Sequence, residues 1–577
     1  MVAASPVSRR WLFGPIPDLL LGCGGAYVLF VAGLTIVSNL SAAIAASIPF
    51  ASVILGLLTN TPHYGATILR VYENRKSRRR YAVFAVHATL ILAVLFVFGL
   101  ENPWLGSLLI TIYFSWSPWH FAGQNFGLSL MFLRLRGIAV DSWSRRLLYA
   151  SYVLAFGLSF LTIHGLADGA SQAPVPPVDS HSQFKFLSLG LGAVATPLRV
   201  LLGVAYVGVL AVLARRLLAR ATALDLLPSA MIIGAHAMWF TVPVLLEMAG
   251  LLSGRTALLS LVWVAIFHSV QYLWVTRYYV SKAGESTILS IYFGKVLLAG
   301  SAVTVLPPLV FSPDALGSVS YQSGLGILWF SIVNIHHFVL DGAIWKLRDG
   351  AVARVLLRAE KGDADPVEAA GAAGRWIRPV IWSVAAACAA VAFFGAYEFE
   401  FGYRRPMESQ DVHRVALGAE RLDWIGRENA GIYDNLALSL AMKIQRNEAP
   451  ASSWKRVEAY YRRSIELRAT ARAWSGLATA YLEQARYSEA LACVNSALAL
   501  DANHLGSLLT LAEVLMRTED FARADEVIQR AIAIKPDSSR ARRMAVTLAA
   551  RKAGKVRREA NRPTGYRTSD PTLGAVP

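Results

Sequence analysis

SGLGILWFSIVNIHHFVLDGAIW, residues 323–345, is apolar enough to cross a bilayer, yet its second half reads Asn334-Ile335-His336-His337-Phe338-Val339-Leu340-Asp341. At about 1.5 Å of rise per residue, some 20 residues cover the ~30 Å hydrocarbon layer. An ionisable side chain at that depth is costly, and the default reading of one that is kept there is functional. Two adjacent imidazoles with a carboxylate one turn further on suggest metal-ligand chemistry.

The rest of the chain has the same character. Apolar residues make up 55% and charged residues only 16%, with a mean hydropathy of +0.44, the composition of an integral membrane protein. Apolar runs of spanning length occur at Ile16–Val37, Ser41–Leu69, Ala82–Leu100, Trp104–Phe132, Leu147–His164, Phe186–Ala214, Ser229–Leu252, Ala257–Val280, Ile288–Phe311, Ser323–Trp345 and Pro379–Tyr397. The sequence therefore predicts an all-α protein: a polytopic bundle of about eleven transmembrane helices in residues 1–400, then a helical-repeat domain over 401–555 and a disordered basic tail over 556–577.

Basic residues fall in alternate connections. Arg75, Lys76 and Arg78–Arg80 lie in one, Arg134, Arg136, Arg145 and Arg146 in another, and Lys346 to Arg378 in a third, whereas the opposite side holds little beyond Lys185, Arg199 and Arg255. The positive-inside rule then puts the N-terminus in the cytoplasm, and an odd number of spans puts the repeat domain on the extracytoplasmic side of what is expected to be a bacterial inner membrane. The net charge of +18 is explained by this topology and by contact with anionic headgroups, so no nucleic-acid partner is expected. Arg9-Arg10 before an apolar run has the look of an export signal, but the run is too long for a signal core. Cys23, Cys388 and Cys493 are too widely separated to form a disulfide framework or a CxxC motif.

Past the last span, Leu477-Ala478, Tyr487, Ala490, Ala497 and Leu500 recur 34 residues on as Leu511-Ala512, Phe521, Ala524, Ala531 and Ile534, with Pro536 just beyond. This period and pattern resemble the tetratricopeptide repeat, in which small alanines sit where paired helices approach and an aromatic marks the turn. Ile432–Ile444 and Trp454–Leu467 read as the two helices of an earlier, less regular repeat. The resemblance implies an α-solenoid whose surface binds a protein partner or a second copy.

His63, His87, His120, His236, His268, His336 and His337 all fall in or beside apolar runs, and the expected topology places them between the midplane and the inner interface. A lone buried histidine is often only an interhelical hydrogen-bond partner. Company shifts the reading: Gln124 follows His120 by four residues, Gln271 and Tyr272 follow His268 by three and four, and Asp341 follows His337 by four. Those spacings share a helix face, as a ligand and the groups that orient it require. Imidazoles with a carboxylate suit iron better than a purely structural metal.

Pro118-Trp119-His120-Phe121 and the His336-His337 pair resemble the histidine-rich membrane oxygenases, namely the fatty-acid desaturase and hydroxylase superfamily and the bacterial carotene dioxygenases, without the HxxxH and paired HxxHH boxes of the desaturases. The resemblance implies a transition metal, iron above all, held by His63, His120, His268, His336 and His337, with Asp341 completing or tuning the site. Gln124, Gln271 and Tyr272 would orient ligands or substrate, and the reaction would be hydroxylation, desaturation or oxidative cleavage of a lipid-soluble molecule.

Other classes are open to the same sequence. A lipid-linked glycosyltransferase would place carboxylates in the first outer loop, but the short Ser38–Ser41 connection has none. A membrane acyltransferase would need an intramembrane His with an upstream Asn, which Asn334 and His336 echo weakly. A scaffold, assembly factor or transporter would use its polar residues to hold helices or line a pathway, and its repeats to recruit a partner.

Overall fold

The computed structural model describes residues 10–40, 42–73, 75–166, 182–242, 248–250, 254–282, 288–345, 356 and 372–560. Among these the regular structure is helical throughout, and the chain divides into two compact units, Met1–Asn429 and Ala430–Pro577. The first unit thus continues beyond residue 400, where the sequence reading drew its boundary.

The principal helices of the first unit are α1 (Gly25–Leu40), α2 (Ala42–Tyr72), α3 (Ala88–Glu101), α4 (Pro103–Leu135), α5 (Ser142–Leu166), α6 (Gly192–Leu218), α7 (Ala223–His236), α8 (Gly254–Lys282), α9 (Leu289–Val310), α10 (Gly326–Ile344), α11 (Ala372–Tyr397) and α12 (Val412–Trp424). Seven helices among the described residues are long and apolar enough to cross a membrane, and an eighth crossing arises if Pro15–Gly22 and Gly25–Gly33, bent by 66°, count as one broken span. The expected eleven are therefore not all of one kind. The other three expected spans fall on α2, α4 and α8, of 31, 33 and 29 residues, which are long enough but mix apolar with polar turns. These are the helices that carry His63, His120 and His268.

Two expected boundaries shift. The span expected from Phe186 begins as helix only at Gly192, because residues 182–191 run as an irregular segment. Alternate N–H groups reach neighbouring elements, Gln183 on Ser323 O, Lys185 on Ser107 Oγ, Leu187 on Thr111 Oγ1 and Leu189 on His164 Nδ1, while Phe184 and Gly190 bond serines within the segment. Non-helical backbone of this kind is tolerated beside lipid only when it is buried in protein, and Phe184 is buried here against α3, α4 and α10. The helix expected from Ser229 starts earlier, at Ala223, behind the N-cap Thr222. The end of that span, the basic residues Lys346, Arg348, Arg354, Arg358 and Lys361, and residues 561–577 lie outside the described residues.

One close crossing positions the centre of the unit. A Cβ on Gly65 of α2 would overlap Val296 O of α9, and one on Gly300 of α9 would overlap Thr61 O of α2. The two backbones touch because neither helix carries a side chain at the contact, the usual device where lipid supplies no hydrophobic driving force. That contact fixes the stretch Thr61–Thr67 against the bundle.

The second unit comprises α13 (Ala430–Gln445), α14 (Trp454–Leu467), α15 (Ala471–Glu483), α16 (Tyr487–Leu500), α17 (Leu505–Arg517), α18 (Phe521–Ile534) and α19 (Ser539–Ala560). The repeat positions behave as their spacing predicts. Ala478, Ala490, Ala497, Ala512, Ala524 and Ala531 are fully buried between helices, while Tyr487 and Phe521 open α16 and α18. Thr470, His504 and Asp520 cap the helices that follow them. The basic segment expected to be disordered is helical as far as Ala560.

Candidate metal centre

Four helices deliver one imidazole each to a common point: His63 from α2, His120 from α4, His268 from α8 and His337 from α10. One nitrogen from each lies within 4.8 Å of the others. The rings form a closed square, with centroid separations of 5.0 Å for His63–His268, 5.0 Å for His268–His120, 5.0 Å for His120–His337 and 4.2 Å for His337–His63. His63, His268 and His337 are buried, and the His120 side chain is 9% exposed.

Three of the four rings leave ring nitrogens without a hydrogen-bond partner among the described residues. His63 Nδ1, His120 Nε2 and both nitrogens of His268 are buried and have no partner among the described residues. Orphaned polar atoms at that depth carry a desolvation cost of about 1–3 kcal/mol each, and a cation among them would satisfy several at once. Nitrogens held about 2.0–2.1 Å from one ion lie about 3.3 Å apart in a tetrahedral site and at most about 4.2 Å apart in any geometry, so the widest pair, up to 4.8 Å apart, would need to draw in. The donor set fits a first-row transition metal such as iron, zinc or copper.

His337 is the best oriented of the four. Its Nδ1 lies 3.0 Å from Thr67 Oγ1, and its Nε2 lies 2.7 Å from His63 Nε2 and 3.2 Å from Asp341 Oδ2. Asp341 Oδ1 accepts from Tyr272 OH at 2.8 Å and from Thr67 Oγ1 at 3.2 Å, while Trp345 Nε1 donates to Tyr272 OH at 3.0 Å. With Tyr272 donating to Asp341, this network assigns the proton of His337 to Nδ1, facing Thr67, and turns the Nε2 lone pair toward the other imidazoles. Asp341 is thereby held by one oxygen and presents the other, Oδ2, to His337 and, at 3.9 Å, to His120 Nε2.

The residues expected at the site divide accordingly. His63, His120, His268 and His337 converge, with Asp341 and Tyr272 beside them. His336 does not join them. Neighbours on a helix point about 100° apart, so an adjacent pair cannot easily serve one centre, and His336 Nε2 instead meets Thr89 Oγ1 at 2.9 Å and Tyr72 OH at 3.1 Å. Gln124 and Gln271 bond each other at 3.3 Å, and they reach His268 O and Gly22 O respectively, so they brace α4, α8 and the broken first span instead of facing the imidazoles. His236 lies apart on Asn125 at 3.1 Å, and His87 is exposed on its own helix.

Sequence reading passed over Thr67, Tyr64 and Asn60. Thr67 follows His63 by four residues on the same helix face, a spacing that signals contact. Tyr64 OH donates to Asn334 Oδ1 at 2.9 Å. Asn60 and Tyr64 also line both a small pocket of about 20 Å³ against His63 and His268 and a larger apolar cavity of about 520 Å³.

Of the comparisons with known proteins, one family matches: residues 481–547 match the tetratricopeptide repeat. No curated protein and no solved structure matches the chain. The repeat match falls entirely in the second unit and identifies it as a surface of the kind that mediates protein–protein contact.

Proposed function

We propose that the first unit is a metal-dependent membrane oxidase or oxygenase that acts on a lipid-soluble substrate. The observation that carries this reading is the convergence of four buried imidazoles, one nitrogen of each lying within 4.8 Å of the others, three of which keep at least one buried nitrogen without a hydrogen-bond partner among the described residues. His63, His120, His268 and His337 would hold the metal, iron being the best match to a site of imidazoles with a nearby carboxylate. When bound, such a metal supplies the activation of dioxygen needed for hydroxylation, desaturation or oxidative cleavage.

The chain's own residues have separable tasks in this reading. Thr67 and Asp341 fix the tautomer and direction of His337, and Tyr272 holds Asp341 in place. The aromatic faces of Phe121 and Phe338, packed on His268 and His120, keep water from the imidazoles. The apolar cavity that ends at Asn60 and Tyr64 gives a hydrophobic molecule a place beside the site.

The topology belongs to the same proposal. If α2, α4 and α8 cross the membrane with the seven strictly apolar helices and the broken first span, the total is eleven. The distribution of basic loops then supports a cytoplasmic N-terminus and an extracytoplasmic repeat unit. Its repeats would recruit a protein partner or a second copy.

Metal analysis by mass spectrometry on the detergent-purified full chain tests the proposal, with His120→Ala/His268→Ala alongside wild type. About one iron, zinc or copper per wild-type chain, lost from the folded double variant, is the expected result. A folded wild type that takes up no metal on reconstitution would overturn it and leave a repeat-bearing scaffold or transporter.

A further inference from the structure

The larger cavity has two unlike ends. Its wall on α2 runs from Pro49 to Tyr64, sixteen residues, or about 22 Å of helix at 1.5 Å per step. Its wall on α10 runs from Gly326 to Val333, with Tyr321 just ahead of that helix. The Tyr64 end adjoins the histidines through the residues it shares with the smaller pocket. The opposite end, where Phe50 packs on Phe401 at 5.2 Å, is the only part of the lining that holds charged residues: Glu400, Arg404 and Arg427.

Of these three, Glu400 and Arg404 are paired with each other and Arg427 is not. Glu400 is held by both Arg404 and Arg405, through bonds of 2.6 Å from Arg404 Nε and 2.8 Å from Arg405 Nε. Arg427 has no carboxylate partner among the described residues, and its guanidinium stacks on the Tyr321 ring, 3.8 Å from the centroid. Its position is fixed by the C-cap of α12: Gly426 takes φ +64, Gly426 N bonds Asp423 O, and Arg427 N bonds Leu422 O at 2.9 Å. This is the hydrogen-bonded glycine cap that ends many helices, and it delivers a cation to the rim of an apolar channel. Arginine suits this place because its planar fork can stack on an aromatic ring and still bind a carboxylate through its edge.

We infer that the cavity binds a single-chain anionic amphiphile of the long-chain carboxylate type, with its carboxylate on Arg427 and its tail running along α2 toward Asn60 and Tyr64. A volume of about 520 Å³ falls within the range of small-molecule sites. The inference rests on the reading of the histidine cluster as the reaction centre: the charged head sets how far down the channel the chain reaches, so oxidation would fall at the end distant from the carboxylate.

Photo-crosslinking on the full chain in detergent tests this, using a long-chain fatty acid with a diazirine at its terminal carbon and peptide mapping by mass spectrometry. The expected product is labelling within residues 60–64 or 330–333. A fatty acid with the diazirine near the carboxylate is expected to label near Tyr321 or Arg427. Arg427→Gln is expected to reduce labelling at least fivefold, with the corresponding fatty alcohol a much poorer competitor than the acid. Gly56→Phe fills the channel from a position whose Cβ meets open space, and is expected to abolish labelling whether or not Arg427→Gln folds. Label scattered over outer helix faces, full labelling of Gly56→Phe, or equal competition by the alcohol would overturn the proposal. Labelling needs no metal, so a protein that labels as expected but binds no metal would disprove the oxidase reading alone, and a metal-loaded protein that does not label would disprove this one alone.

Discussion

His63 Nε2 and His337 Nε2 meet at 2.7 Å, although 274 residues separate them in the chain. Two imidazoles approach that closely only with a proton between them, whereas one ion bound tetrahedrally by both would set those nitrogens about 3.3 Å apart. The proton and the metal therefore compete for the same space, and metal uptake should release a proton and become weaker in acid. His336, one residue away, takes no part in this competition because it is occupied by Thr89 and Tyr72. His337→Ala is expected to lower metal affinity by roughly a hundredfold or more, and His336→Ala to leave it within a few-fold. Competition titration with a chelator on both variants measures the contrast, and equal losses would remove His337 from the site.

Tyr272 reaches no imidazole nitrogen by hydrogen bond, yet its hydroxyl joins Asp341, Thr67 and Trp345. Tyr272→Phe removes the donor that fixes Asp341 Oδ1 while keeping the ring against His63 at its 4.2 Å centroid distance. Partners of this kind typically contribute 10–100-fold to metal affinity. The expected outcome is a loss in that range, with metal stoichiometry at saturation unchanged. A variant that binds no metal even at saturation would make Tyr272 part of the site itself.

These contacts show where the sequence was legible and where it was not. Spacing along one helix was enough to pair Asp341 with His337, and repeat spacing was enough to place the buried alanines of α15 to α18. The partnership of α2 with α10 is carried by contacts 270 residues apart, such as Tyr64 to Asn334, which no local period records. The His336-His337 pair misled for a related reason, since a motif read along the chain ignores the 100° turn between neighbours. The three helices that carry His63, His120 and His268 read as spans from their apolar runs, although their own polar residues dilute those runs. In the repeat unit the turns before α16 and α18 place Ala485 and Glu519 at φ 59 and 61, a conformation in which glycine is the usual residue. Nothing in those two residue types announces the turn.

Gly300 should be the most sensitive small residue in the membrane unit, since its missing side chain is what lets Thr61 O approach. Gly300→Ala forces two backbones apart, an overpacking cost of about 1–3 kcal/mol or more. Gly123→Ala adds a methyl into open space on α4 and should be neutral or slightly stabilising. Thermal unfolding in detergent is expected to separate them, with metal binding also weakened in Gly300→Ala because Thr61–Thr67 carries His63. Matching melting temperatures would mean that the α2–α9 crossing relaxes freely.

His504 gives the repeat unit a pH dependence of defined sign. As the N-cap of α17 it accepts from Ser507 N at 3.2 Å and lies 2.7 Å from Ser507 Oγ, both through Nδ1. Only the neutral ring keeps that acceptor, and burial pushes its pKa below the usual histidine value of 6.5, with the Arg472 charge adding to the shift and Asp501 opposing it. A folded-state pKa lower than the unfolded one means the unfolded chain binds more protons, so the stabilisation is complete above about pH 6.5 and is lost as pH falls through the lowered value. Hydrogen exchange of peptides from Leu505–Arg517 in the full chain, compared between pH 7.5 and 5 after correction for intrinsic rates, should show opening of α17 favoured at the lower pH. His504→Asn keeps an N-cap acceptor without a titrating group, and is expected to flatten that dependence. An equal pH response in the variant would place the titrating group elsewhere in the repeats.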